Sequence, residues 1–130
     1  MEPRRGNKTL MVIEDEDMLL EMVTSVLEGE GYDLVTCADG LEAIEQYRTR
    51  FSTIALVITD LGLPRLGGIE LLSRLKEINP HIRTIIASGF VESEEREAFI
   101  KQGAIDIIAK PYSAIQLIDT VRTALDTSSS

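Results

Sequence analysis

Short apolar runs alternate along this chain with stretches whose apolar residues recur at helical spacing. Leu10-Met11-Val12-Ile13 reads as a strand. Leu19, Met22, Val23, Val26 and Leu27 then fall on one face of a helix, which Gly29 and Gly31 stop. Leu34-Val35-Thr36 is the second strand. Asp39 followed by Glu42 forms a capping-box pattern and opens a helix through Leu41, Ile44 and Tyr47. Ile54-Ala55-Leu56-Val57-Ile58 is apolar at every position, as a central strand covered on both faces would be. The helix after it carries Leu71, Leu72, Leu75 and Ile78 and ends at Asn79-Pro80. Thr84-Ile85-Ile86-Ala87 is the fourth strand, and Ser93 to Gln102 is a short acidic helix stopped by Gly103. Ile105 to Ile108 is the last strand. Ser113 with Gln116 caps a final helix through Leu117, Ile118, Val121 and Leu125.

Five strands alternate with five helices, and the short connections force parallel pairing with crossovers. The pattern predicts an α/β fold, a doubly wound (βα)5 with a five-stranded parallel sheet in the order 2-1-3-4-5. Residues 1–8 read as a linker or flexible N-terminus, 9–126 as one folded domain, and 127–130 as a flexible hydroxyl-rich tail.

Composition narrows the function classes. The 130 residues are enough for one core without disulfides or structural metal. The net charge of −9, with no basic stripe, argues against nucleic-acid and anionic-membrane binding. No apolar run is long enough to cross a bilayer, and Glu2-Pro3-Arg4-Arg5 leads into no signal-peptide core. Cys37 is the single cysteine, which excludes an internal disulfide and suits a reducing cytoplasm.

In sheets of this kind, ligands sit beyond the carboxyl ends of the strands, at the switch point between the first and third. Glu14, Asp15, Glu16 and Asp17 follow the first strand. Thr59 and Asp60 follow the third, Ser88 and Gly89 the fourth, and Lys110 and Pro111 the fifth. The macrodipole at a helix N-terminus accounts for Glu16 and Asp17. It accounts poorly for Glu14, which continues a buried strand, and for Asp60, which ends the most apolar one. Like charges about 4 Å apart repel by roughly 4 kcal/mol at an effective dielectric of 20, so the cluster calls for a cation. Oxygen ligands without sulfur or imidazole favour a hard ion such as Mg²⁺. Lys110, fixed by Pro111, reads either as a weak surface ion pair or as a cation facing a transferred phosphoryl group. Ser88 reads as turn chemistry or as a hydroxyl donor to that group. Gly62 and Leu63-Pro64 make a tight loop whose carbonyls could face a metal.

Taken together, these motifs resemble the receiver domain of two-component response regulators, from about Thr9 to Leu125. Met11-Val12-Ile13-Glu14-Asp15-Glu16 resembles the acidic motif of the first strand. Asp60-Leu61-Gly62-Leu63-Pro64 with Gly67-Gly68 resembles the phosphoacceptor loop. Ala87-Ser88-Gly89 resembles the hydroxyl motif, and Lys110-Pro111-Tyr112 the lysine with its following proline. Ala-Ser-Gly-Phe with Asp-Leu-Gly-Leu-Pro is most similar to receivers of hybrid sensor histidine kinases. The resemblance implies a flavodoxin-like fold in which Asp60 takes a phosphoryl group from a phosphohistidine of a histidine kinase or a histidine phosphotransfer domain. It implies that Glu14, Asp15, Asp60 and the Gly62 carbonyl arrange Mg²⁺ (or Mn²⁺). It further implies that Lys110 and Ser88 meet phosphoryl oxygens, with output at the face of the fourth helix, fifth strand and fifth helix. Such a domain is no turnover enzyme by itself; it catalyses only its own phosphorylation and dephosphorylation, in the cytoplasm.

Two positions depart from the family. Glu14 replaces the commoner aspartate, and its extra methylene could shift it to a water-mediated contact. Ile107, three residues before Lys110, stands where the family usually carries the Tyr or Phe whose inward swing reports phosphorylation. Phe90 and Tyr112 lie on the same output side and read better as packing residues. His81 reads as a turn residue, Cys37 as a small hydrophobe, and the Glu92, Glu94, Glu95, Glu97 run as a solvated helix face.

Three other readings fit less well. An FMN protein of the same topology would need a phosphate loop after the first strand, where this chain puts four acids. A phosphatase with an aspartyl phosphate would need a second aspartate where Gly62 stands, and there is no Walker loop. A receiver-like interaction module that is never phosphorylated would have no use for Asp15, Asp60, Ser88 and Lys110 together. Because the sequence stops soon after the fifth helix, output is expected by docking or through domains outside this segment.

Overall fold

The computed structural model describes residues 8–61, 66–89 and 93–127. Its elements are β1 (Thr9–Ile13), α1 (Asp17–Gly29), β2 (Asp33–Cys37), α2 (Gly40–Arg50) and β3 (Ile54–Asp60), then α3 (Gly68–Ile78), β4 (Thr84–Ser88), α4 (Ser93–Lys101), β5 (Ala104–Ala109) and α5 (Ala114–Thr127). All five strands run parallel in the order β2-β1-β3-β4-β5.

The period-two alternation of each strand divides the core between the two faces of the sheet. Leu10 and Val12 of β1 join Leu56, Ile58, Ile85 and Ile108 under α1 and α5. Met11 and Ile13 join Val35, Cys37 and Val57 under α2 and α3. The second face continues into a smaller cluster of Leu72, Ile86, Phe99 and Ala104 under α4. Cys37 is 1% exposed, so it packs as a small apolar side chain, and burial pushes its thiol up to about 12.

Capping fixes where two helices start. At α5, Ser113 Oγ accepts the Gln116 N–H at 3.1 Å, and Gln116 Oε1 accepts the Ser113 N–H at 2.8 Å, the full reciprocal box. At α2, Asp39 accepts the Glu42 N–H at 2.9 Å, but Glu42 returns its bond to the Ala38 N–H, one residue outside the predicted box. Helix stops differ in a similar small way. Gly29 closes α1 from within the helix, while Gly31 and Gly103 follow with φ of 96° and 101°, backbone that a Cβ would strain.

Two of the strands also run further than their apolar pattern. Thr59 and Asp60 are the last residues of β3, and Ser88 is the last of β4, so the hydrogen-bonded ladder holds polar residues that follow the apolar runs. α4 ends at Lys101, one residue before Gln102.

A candidate phosphoryl site at the carboxyl rim

The functional side chains sit where the central strands end. Glu14 extends β1 by one residue, because its N–H donates to the Cys37 carbonyl at 2.9 Å. That ladder bond carries its side chain inward, and Glu14 is 5% exposed. Asp15 is exposed and Asp60 half-buried. One carboxylate oxygen from each of Glu14, Asp15 and Asp60 lies within 4.8 Å of the others. Thr59, fully buried, donates its hydroxyl to the Asp60 carbonyl at 3.0 Å and so fixes the backbone at the strand end.

Lys110 closes the group from β5. Its N–H donates to the Ser88 carbonyl at 2.8 Å, which ties the end of β4 to the chain leaving β5. Its ammonium stands 3.1 Å from Asp60 Oδ1 and 3.4 Å from Glu14 Oε1. Glu14 Oε2 accepts the Glu16 N–H at 3.1 Å. Glu14 is therefore held at both oxygens, by a lysine and by the chain that turns into α1.

The charges respond in opposite directions. Burial raises the Glu14 carboxyl above its usual range, with Asp60 adding to the rise, although the Glu16 N–H and Lys110 oppose it. Burial also works against the Lys110 ammonium, but hydrogen bonds and charge from Asp60 and Glu14 outweigh it and raise the lysine. The pair thus favours the lysine's charge more than the buried glutamate's. One cation facing three acids leaves two negative charges in excess when all are ionised. An all-oxygen donor set with that excess fits a small divalent cation.

Other predicted residues fall at varying distances from this group. Ser88 ends the neighbouring strand at the same rim. Tyr112 packs against the α1–α5 face of the core, and burial, with charge from Glu14 and Asp60, raises its hydroxyl to about 12. Ile107 is half-buried and packs on the cluster under α4. Gly62, Phe90 and Glu92 lie outside the described residues, as do residues 1–7 and 128–130. His81 is exposed, with its N–H donating to Asn79 Oδ1 at 3.0 Å in a turn at the opposite end of the sheet. Thr59, which the sequence places beside Asp60, and Gly68, part of the loop motif, support the site. An ideal Cβ on Gly68 would come 2.7 Å from Leu61 Cδ2, so glycine there lets the chain after Asp60 approach α3.

A doubly wound sheet with this acid–lysine group at its switch point defines the receiver class of two-component signalling proteins. The family model for the response regulator receiver domain matches residues 10–122, and the chain belongs to that family. The probable transcriptional regulatory protein TcrX of Mycobacterium tuberculosis is 31% identical over 117 residues, 90% of this chain and 49% of that protein. The sensor kinase CckA of Brucella abortus is 29% identical over 121 residues, 93% of this chain but 13% of the kinase, in line with the resemblance to kinase-borne receivers. A solved response regulator receiver domain protein from Clostridium thermocellum superposes with a TM-score of 0.85 at 28% identity, over 94% of this chain and 97% of that one. The chain spans half or less of TcrX and CckA. No helix among the described residues is long and apolar enough to cross a membrane.

Proposed function

We propose that this receiver domain accepts a phosphoryl group on Asp60 from the phosphohistidine of a histidine kinase or phosphotransfer domain, in the cytoplasm. The observation that carries the reading is Lys110, 3.1 Å from Asp60 and 3.4 Å from Glu14, beside three carboxylates within 4.8 Å. In the transfer, an Asp60 carboxylate oxygen forms the O–P bond as the N–P bond of the donor breaks. The imidazole keeps the electron pair and takes up a proton. Glu14, Asp15 and Asp60, with the Gly62 carbonyl, would hold Mg²⁺ or Mn²⁺, which when bound neutralises charge on the phosphoryl oxygens. Lys110 offers its ammonium to one phosphoryl oxygen and Ser88 its hydroxyl to another. Positioning and charge neutralisation supply most of the catalysis in such transfers.

Incubation with acetyl phosphate and Mg²⁺, followed by intact-mass measurement, tests the reading. The wild-type chain gains one phosphoryl group and Asp60→Asn gains none. An unlabelled wild type, or equal labelling of the variant, refutes it and favours an interaction module that is never phosphorylated.

A further inference from the structure

The sequence lacks the family's aromatic at Ile107, yet a ring is present on that side of the molecule. Phe99 is the only buried residue of α4, at 3% exposure. It lies in the cluster with Leu72 of α3, Ile86 of β4 and Ala104 of β5, and two half-buried residues pack on that cluster, Leu61 and Ile107. Leu61 is the residue after Asp60, and Ile107 is paired with Ile86 across β4 and β5. One close-packed group thus joins the phosphoacceptor's chain neighbour to the core anchor of α4.

α4 sends few side chains into the core. It has nine residues, and every described side chain apart from Phe99 and the half-buried Ala98 is exposed. A helix this short is marginal in water without tertiary contacts. Its C-terminal end is tied to α3, where Lys76 Nζ donates to the Lys101 carbonyl at 2.8 Å. The seat of that ring and the C-terminal tie both hold α4 against the core. Close-packed protein interiors transmit displacement. A shift of the β3 end when Asp60 changes its bonding reaches Leu61 first and the Phe99 seat next.

We propose that Phe99 couples Asp60 to α4, with Leu61 and Ile107 as the intervening contacts, so that the moving ring belongs to α4 rather than β5. The proposal rests on the phosphoacceptor reading of Asp60. Phe99 touches neither phosphoryl group nor metal; it is a positioning residue.

The test uses the full chain with beryllofluoride and Mg²⁺ as the phosphoryl mimic. Uptake is read by fluorine NMR, and α4 is read by hydrogen exchange of peptides covering residues 93–101. In the wild type, uptake changes exchange in α4 by about fivefold or more, the ratio that corresponds to roughly 1 kcal/mol of local opening. Phe99→Leu still takes up the mimic but loses most of the α4 response, whereas Ile100→Ala, on the exposed face of the same helix, keeps it. If Phe99→Leu does not fold, Phe99→Met serves in its place. A full α4 response in the Phe99 variant, or uptake without any α4 response in the wild type, overturns the proposal. Absence of uptake in the wild type overturns the reading of Asp60 itself, and the proposal with it.

Discussion

Glu14 and Cys37 are neighbours across the β1–β2 ladder, and each is a titratable group that the fold buries. Glu14 keeps two polar partners, whereas burial leaves the Cys37 thiol strongly biased towards its neutral form. Its ordinary value of 9.0 is pushed up to about 12, and nearby Glu42 and Asp39 add to the rise. Above pH 9.0 the unfolded chain gives up this proton while the folded chain keeps it. The folded state then binds more protons, so stability falls with rising pH until about pH 12. Tyr112, raised from 10.0 to about 12, acts with the same sign. Urea midpoints measured across this range should fall steeply for the wild type and more shallowly for Cys37→Ala. Parallel slopes would remove Cys37 as a cause. Residue-scale chemistry was the most legible part of the sequence: acids after an apolar strand, and a lysine before a proline. Burial was less legible. That Glu14 is far more buried than Asp15 depends on which side of a turn each faces, and a run of four acids does not encode it.

At the scale of elements, helix starts were readable because capping is local. The Ser113–Gln116 box at α5 satisfies two N–H groups that the first turn cannot. Ser113→Ala should lower stability by about 1 kcal/mol, measured by urea unfolding, with far-UV signal otherwise retained. An unchanged midpoint would discount the cap. Strand ends were less readable. Apolar pattern marks the part of a strand that is covered by helices, but the hydrogen-bonded ladder runs on to polar residues such as Thr59, Asp60 and Ser88. Those extra residues make the site rigid, because ladder geometry rather than loop geometry aims Asp60. The cluster around Phe99 was invisible for a different reason. Its members come from α3, β4, α4 and β5, with Leu61 after β3 packed on them, and no spacing along the chain brings them together.

For the whole molecule, the strand order was predictable from the βα alternation, and it decides which acids meet. β1 and β3 are neighbours in the sheet, so Glu14 and Asp60 end side by side although far apart in sequence. The resulting excess of negative charge should make stability depend on divalent cations by mass action. At ten times its dissociation constant, Mg²⁺ should stabilise the folded chain by about 1.4 kcal/mol, seen as a rise in Tm. Asp15→Ala should weaken that response, since Asp15 is the exposed member of the cluster and contributes little to the core. A variant as responsive to Mg²⁺ as the wild type would place the cation elsewhere.

The contact between Lys110 and Glu14 spans 96 residues. It therefore sets a condition on protein synthesis as well as on chemistry. A nascent chain that has exposed only β1 to β3 carries Asp60 without its lysine, its Ser88 neighbour or the strand that β3 leans on. Domains fold as units once their sequence has emerged. A kinase working during translation would thus meet no competent acceptor until β5 is out of the ribosome. On the proposed reading, phosphorylation waits until the chain has emerged past Lys110.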